Sequence, residues 1–180
     1  MNLTVTTPPA EEPVSVATAK AHLRVDTTAD DALIGIYVTA ARELGEGLAR
    51  RAFVTQSLRL VLDDFPASGI LKLPRPPLQS VEEITYLDDD GVEYAWTDFT
   101  IDARSEPGRI IFHSLPSDSL LESGAVAIEF TAGYGDAGDV PGAFTQAILQ
   151  TVSNWYEFRE MGDMPSGAKK LFMSDRGSWF

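Results

Sequence analysis

The chain has 180 residues, enough for one domain with a core of its own. Its 14 Lys and Arg against 27 Asp and Glu leave a net charge of −13, a field that opposes nucleic acid and anionic membranes. Cysteine is absent, which removes disulfides, thiolate catalysis and thiolate metal sites, and no apolar run approaches the ~20 residues of a membrane span.

Met1–Pro13 is polar, acidic and proline-rich, and it reads as an extended arm without the basic and apolar regions of a signal peptide. Ser15 is a candidate N-cap for a short helix through Leu23, with Val16, Ala19 and Leu23 on one face. Thr28 and Asp31 form an acidic variant of a capping box ahead of a longer helix near Ala29–Arg51. Leu33, Ile34, Tyr37, Val38, Ala41, Leu44 and Leu48 recur there at helical spacing. Arg42, Glu46 and Arg50 are read as an i, i+4 ladder on its opposite, outward face.

Beyond Arg51 the period falls to two. Leu58, Leu60 and Leu62 alternate with polar or outward positions, and Phe65-Pro66 ends that strand. Further strands are expected at Ile70–Leu73, Val81–Leu87, Val92–Trp96, Phe99–Asp102, Arg109–Phe112 and Ala125–Thr131. The Asp-Gly step at Asp90-Gly91 and the Pro107-Gly108 step mark the turns between them. Short strands at this spacing argue for a small antiparallel barrel or sandwich. Pro141 then suits the first turn of a second long helix, Val140–Met161, striped by Phe144, Ala147, Ile148, Val152, Trp155 and Tyr156. Gly162, Pro165 and Gly167 interrupt it, and a short helix is expected at Ala168–Met173. The fold class is therefore α+β, with N- and C-terminal helices packed as a small bundle and an inserted antiparallel β unit.

Few residues invite chemistry. Gly133-Tyr134-Gly135-Asp136-Ala137-Gly138 is a formal GxGxxG between a strand and a helix. Asp136 and Asp139 put negative charge where a pyrophosphate would sit, and no second parallel strand follows. Asp88-Asp89-Asp90 lacks the alternating ligands of a calcium loop and reads as a solvated hairpin tip. His22 and His113, the only histidines, lie in unlike segments, and no serine sits in a nucleophile elbow. No catalytic residue, metal site or cofactor is expected.

The tail is more telling. Lys169, Lys170 and Arg176 concentrate positive charge beside Leu171, Phe172, Met173, Trp179 and Phe180, a composition suited to docking on a partner, with folding back onto its own subunit as the alternative. Phe158 falls off the apolar stripe of the last long helix and is a candidate to face another chain together with Arg159. Arg42 and Arg50 are candidates for inter-subunit or intrahelical pairing rather than DNA contact, with Glu46 a further inter-subunit candidate, and charge reversal at Arg42 and Arg50 should weaken assembly.

Ala19-Lys20-Ala21-His22-Leu23-Arg24-Val25-Asp26, Asp30-Asp31-Ala32-Leu33-Ile34 and Ala40-Ala41-Arg42-Glu43 resemble the N-terminal half of phage head–tail connector proteins. These adaptor or head-completion proteins occur in long-tailed phages and gene transfer agents. Leu73-Pro74-Arg75-Pro76-Pro77-Leu78-Gln79-Ser80-Val81, Ala132-Gly133-Tyr134-Gly135 and Trp155-Tyr156-Glu157-Phe158-Arg159-Glu160 continue the likeness, which runs from about Val14 to Met161. The resemblance implies a structural, non-enzymatic part of a virion neck, assembled in the host cytoplasm. It implies a dodecameric ring seated on the portal protein of a DNA-filled capsid, with a stopper or tail-side neck protein on the far side and DNA passing through the lumen. Another neck component, such as a stopper or tail-completion ring, is the alternative within that class. A small nucleotide-binding enzyme built on Gly133–Gly138 is the alternative outside it.

The implied organisation is an arm over residues 1–14, a connector domain over 15–161 and a partner-binding tail over 162–180. The connector domain holds helices in 15–51, a β insertion in 54–131 and the long helix in 140–161. Portal contacts are expected from Lys169, Lys170, Leu171, Phe172, Arg176, Trp179 and Phe180. Truncation after Gly167 should then abolish docking and leave the subunit folded.

Overall fold

A computed structural model describes residues 1–117 and 119–176, so Trp179 and Phe180 lie outside the described residues. The chain divides into a β unit, residues 1–9 and 55–133, and a helical unit, residues 10–54 and 134–180.

In the β unit, β1 (Asn2–Thr7), β2 (Gln56–Leu62), β4 (Leu78–Leu87), β5 (Glu93–Ala95) and β8 (Val126–Ala132) form one sheet in the order β1-β2-β8-β4-β5. A smaller sheet has the order β3-β7-β6, from β3 (Ile70–Lys72), β6 (Phe99–Asp102) and β7 (Arg109–Phe112). Every pairing is antiparallel. The sheets do not close into a barrel, and of the two expected forms the unit is sandwich-like. Period two explains the register. Leu58 and Leu60 on β2 pair with Phe130 and Ile128 on β8, and all four are buried. Phe65 stands edge-on to Phe112 at 5.2 Å and within 6.1 Å of Tyr86 and Trp96, so aromatic rings fill the end of this core.

The expected N-terminal arm is extended, but residues 2–7 are not free. Leu3 pairs with Leu60 and Val5 with Leu58, which makes β1 an edge strand of the larger sheet. The β-branched run Thr4-Val5-Thr6-Thr7 suits such an edge.

The β6–β7 connection is pinned by Asp102. Its carboxylate accepts from the Ser105 hydroxyl at 2.6 Å, from Arg109 Nη2 at 2.5 Å, and from the backbone N–H groups of Arg104 and Ser105, both at 3.1 Å. The Ser105 hydroxyl, then the Arg109 guanidinium, hold this carboxyl well below the usual carboxylate range. A depressed folded value means the stabilisation is complete above the ordinary value of 3.8 and is lost as pH falls through the folded one. Carboxyl titration by NMR is expected to find Asp102 still ionised well below pH 3.8. Asp102→Asn should delete that acid step and loosen the turn at neutral pH.

In the helical unit, α1 (Val16–Leu23) begins at Ser15, whose Oγ accepts the Thr18 N–H at 3.1 Å, as expected of an N-cap. α2 (Asp31–Ala49) has Asp30 at its N-cap, with no side-chain capping bond, so the expected Thr28–Asp31 box does not form. Asp30 is otherwise engaged: its carboxylate accepts the Tyr156 hydroxyl at 2.6 Å, which also raises the Tyr156 pKa. α3 (Gly142–Phe158) is closed by Arg159 in the left-handed region, so its last residue lies three short of the expected limit at Met161. α4 (Ser166–Met173) follows. Ile34, Tyr37, Val38, Ala41, Phe144, Ile148, Val152 and Trp155 build the core of this unit, joined by Ala168 and Phe172 from α4. No helix among the described residues is long and apolar enough to cross a membrane.

Candidate partner-binding surfaces

α4 divides its residues by helical spacing. Ala168 and Phe172, four apart, are fully buried, Leu171 is half-buried, and Lys169, Lys170, Met173 and Arg176 are exposed. Phe172 stacks on Phe53 at 5.9 Å and 11°, and on Phe144 at 6.2 Å and 22°. Gly45 on α2 lies so close to this ring that any Cβ there would collide with it. The expectation that Phe172 belongs to a partner-binding hook is corrected accordingly: its ring closes the core of its own subunit. Lys169, Lys170 and Arg176 remain on the surface. Truncation after Gly167 would remove both buried residues of α4, so the subunit it leaves would lack part of its core.

The end of α4 is anchored by a residue that sequence reasoning passed over. Arg51 is 1% exposed; its Nε donates to the Asp175 carbonyl at 2.6 Å and its Nη2 to the Asp175 carboxylate at 3.0 Å. The Tyr134 hydroxyl adds a bond to the other Asp175 oxygen at 3.2 Å. These contacts hold the chain at Asp175 against the helical unit. The only local signal was a second arginine after the end of α2.

The ladder expected on the outward face of α2 points inward instead. Arg42 and Glu46 are each 5% exposed. Arg42 Nη1 donates to Glu46 Oε2 at 3.1 Å, its Nε to Glu12 Oε2 at 2.8 Å, and Glu46 Oε1 accepts the Phe53 N–H at 2.9 Å. Burial alone would lower the Arg42 pKa, but the Glu12 hydrogen bond and the charges of Glu46, Glu12 and Glu43 raise it, so the guanidinium stays charged. Arg42 and Glu46 are thus committed within their own subunit, as an i, i+4 pair completed by the N-terminal segment. Arg50 caps α2 in the left-handed region at φ 57°, and Arg159 caps α3 at φ 51°. Phe158 is 68% exposed, the position its departure from the apolar stripe implied.

The glycine-rich connection does not offer its donors to a ligand. The Asp136 N–H goes to the Asp139 carboxylate at 3.0 Å, and the Ala137 N–H to Glu11 Oε1 at 2.8 Å. Residues 137–139 make a single 3₁₀ turn before α3. Carboxylates of the chain itself therefore occupy the N–H groups that a phosphate would need, and they add negative charge there. Asp88 Oδ1 caps its own hairpin, accepting from Asp90 and Val92. His113 is exposed and bonds Thr100 at 2.7 Å. Among the described residues no cluster of His, Asp and Glu could hold a metal ion.

No family model matches this sequence, and no curated protein matches it. Solved structures do. The chain is similar, at 28% identity and a TM-score of 0.83, to a chain in the neck of an empty gene transfer agent (GTA) particle. The match covers 98% of this chain and 95% of that one. A chain in the virion of a native GTA particle matches at 28% identity and a TM-score of 0.81, and one in the neck of a native particle with C12 symmetry at 27% and 0.79. Both matches again cover 98% of this chain and 95% of the other. Over nearly its whole length, then, the chain has the fold of structural proteins from the neck and virion of phage-like particles.

Proposed function

We propose that this chain is a head–tail adaptor: a non-enzymatic subunit of a neck ring that docks on the portal of a DNA-filled capsid, joins it to a tail-side component and lets DNA pass. The likeness to GTA neck chains over 98% of the sequence carries this reading. The C12 symmetry of one of those necks supports a ring of twelve copies. A net charge of −13 per subunit suits a lumen through which a polyanion slides without being held. The glycine-run enzyme loses its support, because the N–H donors at Asp136 and Ala137 are already taken.

Portal contact is assigned to the exposed part of the C-terminal segment: Lys169, Lys170 and Arg176 on the surface, with Trp179 and Phe180 following in sequence. Tryptophan and arginine are the side chains whose loss most often costs an interface 2 kcal/mol or more, about 30-fold in affinity. Deletion of residues 177–180 is expected to weaken co-sedimentation with purified portal by about that factor, with the thermal midpoint unchanged. Undiminished binding by the shortened chain would reject the tail as the portal contact. Electron microscopy of particles made without this protein tests the adaptor role itself: the neck should be missing and the heads should fail to join tails.

A further inference from the structure

We infer that the outward face of α2 is the surface on which a second copy of this chain docks, and that Ile36, Leu44 and Gly47 are its contact residues. The inference rests on the ring reading above and names the face that closes the ring.

Three observations converge. A surface helix normally turns charge to water, yet the exposed positions of α2 are Ala32, Ile36, Glu43, Leu44 and Gly47, with one charge among them. Ile36 is 59% exposed and Leu44 49%. The two remaining charges of the helix middle, Arg42 and Glu46, are buried on the other side. Leu44 also lines a hollow of about 510 Å³ with Leu48, Met164 and the oppositely charged Asp163 and Lys169.

Gly47 is the second, independent sign. It sits inside the helix, its backbone is not in the left-handed region, and a Cβ built on it meets nothing within 4 Å. Nothing among the described residues of its own subunit requires glycine there, and glycine weakens a helix relative to alanine. Close approach of another backbone supplies the missing reason.

Charge selects the occupant. Copies carrying −13 each repel over most of their surface, so a contact between two of them is favoured where net charge is low. The outward face of α2 fits that condition: its one carboxylate, Glu43, lies 3.6 Å from the Arg42 guanidinium, and Ile36 and Leu44 offer apolar area to bury. A closed ring of identical subunits needs this face to meet a different surface on the next copy.

The chain contains no cysteine, so one introduced thiol can be labelled cleanly. Ile36→Cys carrying a benzophenone maleimide is photolysed in purified particles and in the concentrated chain alone. Products joining copies of this chain, in either sample, are expected. Products that join it only to a different polypeptide, or no products in either sample, overturn the inference. Two unlabelled variants separate contact from folding. Ile36→Glu should leave the thermal midpoint within about 2 °C and cut ring incorporation at least tenfold. Gly47→Ala should raise the midpoint by about 2–3 °C and still cut incorporation about tenfold, an opposition that a purely structural glycine would not show. Normal incorporation of both variants also overturns it. Microscopy that finds the chain outside the neck rejects the adaptor reading, whereas a chain present in the neck but cross-linked elsewhere rejects only this face.

Discussion

Phe172→Ala is expected to destabilise the helical unit by about 3–5 kcal/mol, a large part of the stability of a domain this size. The ring is fully buried against the Phe53–Phe144 pair and directly over Gly45. Alanine would leave a cavity lined by flat aromatic faces that cannot collapse inward without breaking their own stacking, which at 4.6 Å between Phe53 and Phe144 is already close. The urea midpoint should fall with little change in slope, and Phe172→Leu should recover roughly half of the loss. This bears on how the tail is studied. A cut at Gly167 removes core together with any portal contact, so lost docking by that fragment says nothing about the hook. Removal of residues 177–180 spares Phe172 and the Arg51–Asp175 anchor, and it isolates the contact.

Glu46→Ala is expected to cost about 3 kcal/mol, measured as a shift in the same midpoint. One carboxylate serves two buried donors, the Arg42 guanidinium and the Phe53 N–H. Truncation leaves the Arg42 charge with Glu12 but takes the acceptor from the Phe53 N–H in a region that excludes water. Glu46→Gln keeps an acceptor for Phe53 and should cost about half as much. Charge reversal at Arg42 would consequently impair assembly by unfolding the subunit, and it cannot serve as a probe of inter-subunit pairing.

Legibility varied with the range of the interaction. The alternation of Leu58 and Leu60, the Ser15 cap, the Asp90-Gly91 turn and the stripes of α2 and α3 are local, and each appears where periodicity puts it. Two misreadings had usable signals. Ala168, Leu171 and Phe172 stand at helical spacing, the pattern of a helix that buries one face, but their basic neighbours suggested an exposed hook. Thr4-Val5-Thr6-Thr7 is rich in β-branched residues, and the prolines after it drew attention away from a strand. The burial of Arg42 had a weaker signal, since a charged ladder reads the same whether it faces water or a distant carboxylate.

By itself the sequence determined the element types and most of their bounds, the α+β class, the charge that suits a DNA conduit, and the likeness to a neck protein. These follow from near-neighbour periodicity, composition and short motifs, which need no knowledge of what packs where. Tertiary structure alone decided which side chains are inside. Glu12 reaches Arg42 across 30 positions and Asp175 reaches Arg51 across 124. A pairing at such separation is set by how helices and termini pack, and the chain carries no local mark of it. The same packing buries Phe172 and leaves Ile36 and Leu44 outside, because a helix with apolar residues on two sides can turn only one of them to its own core.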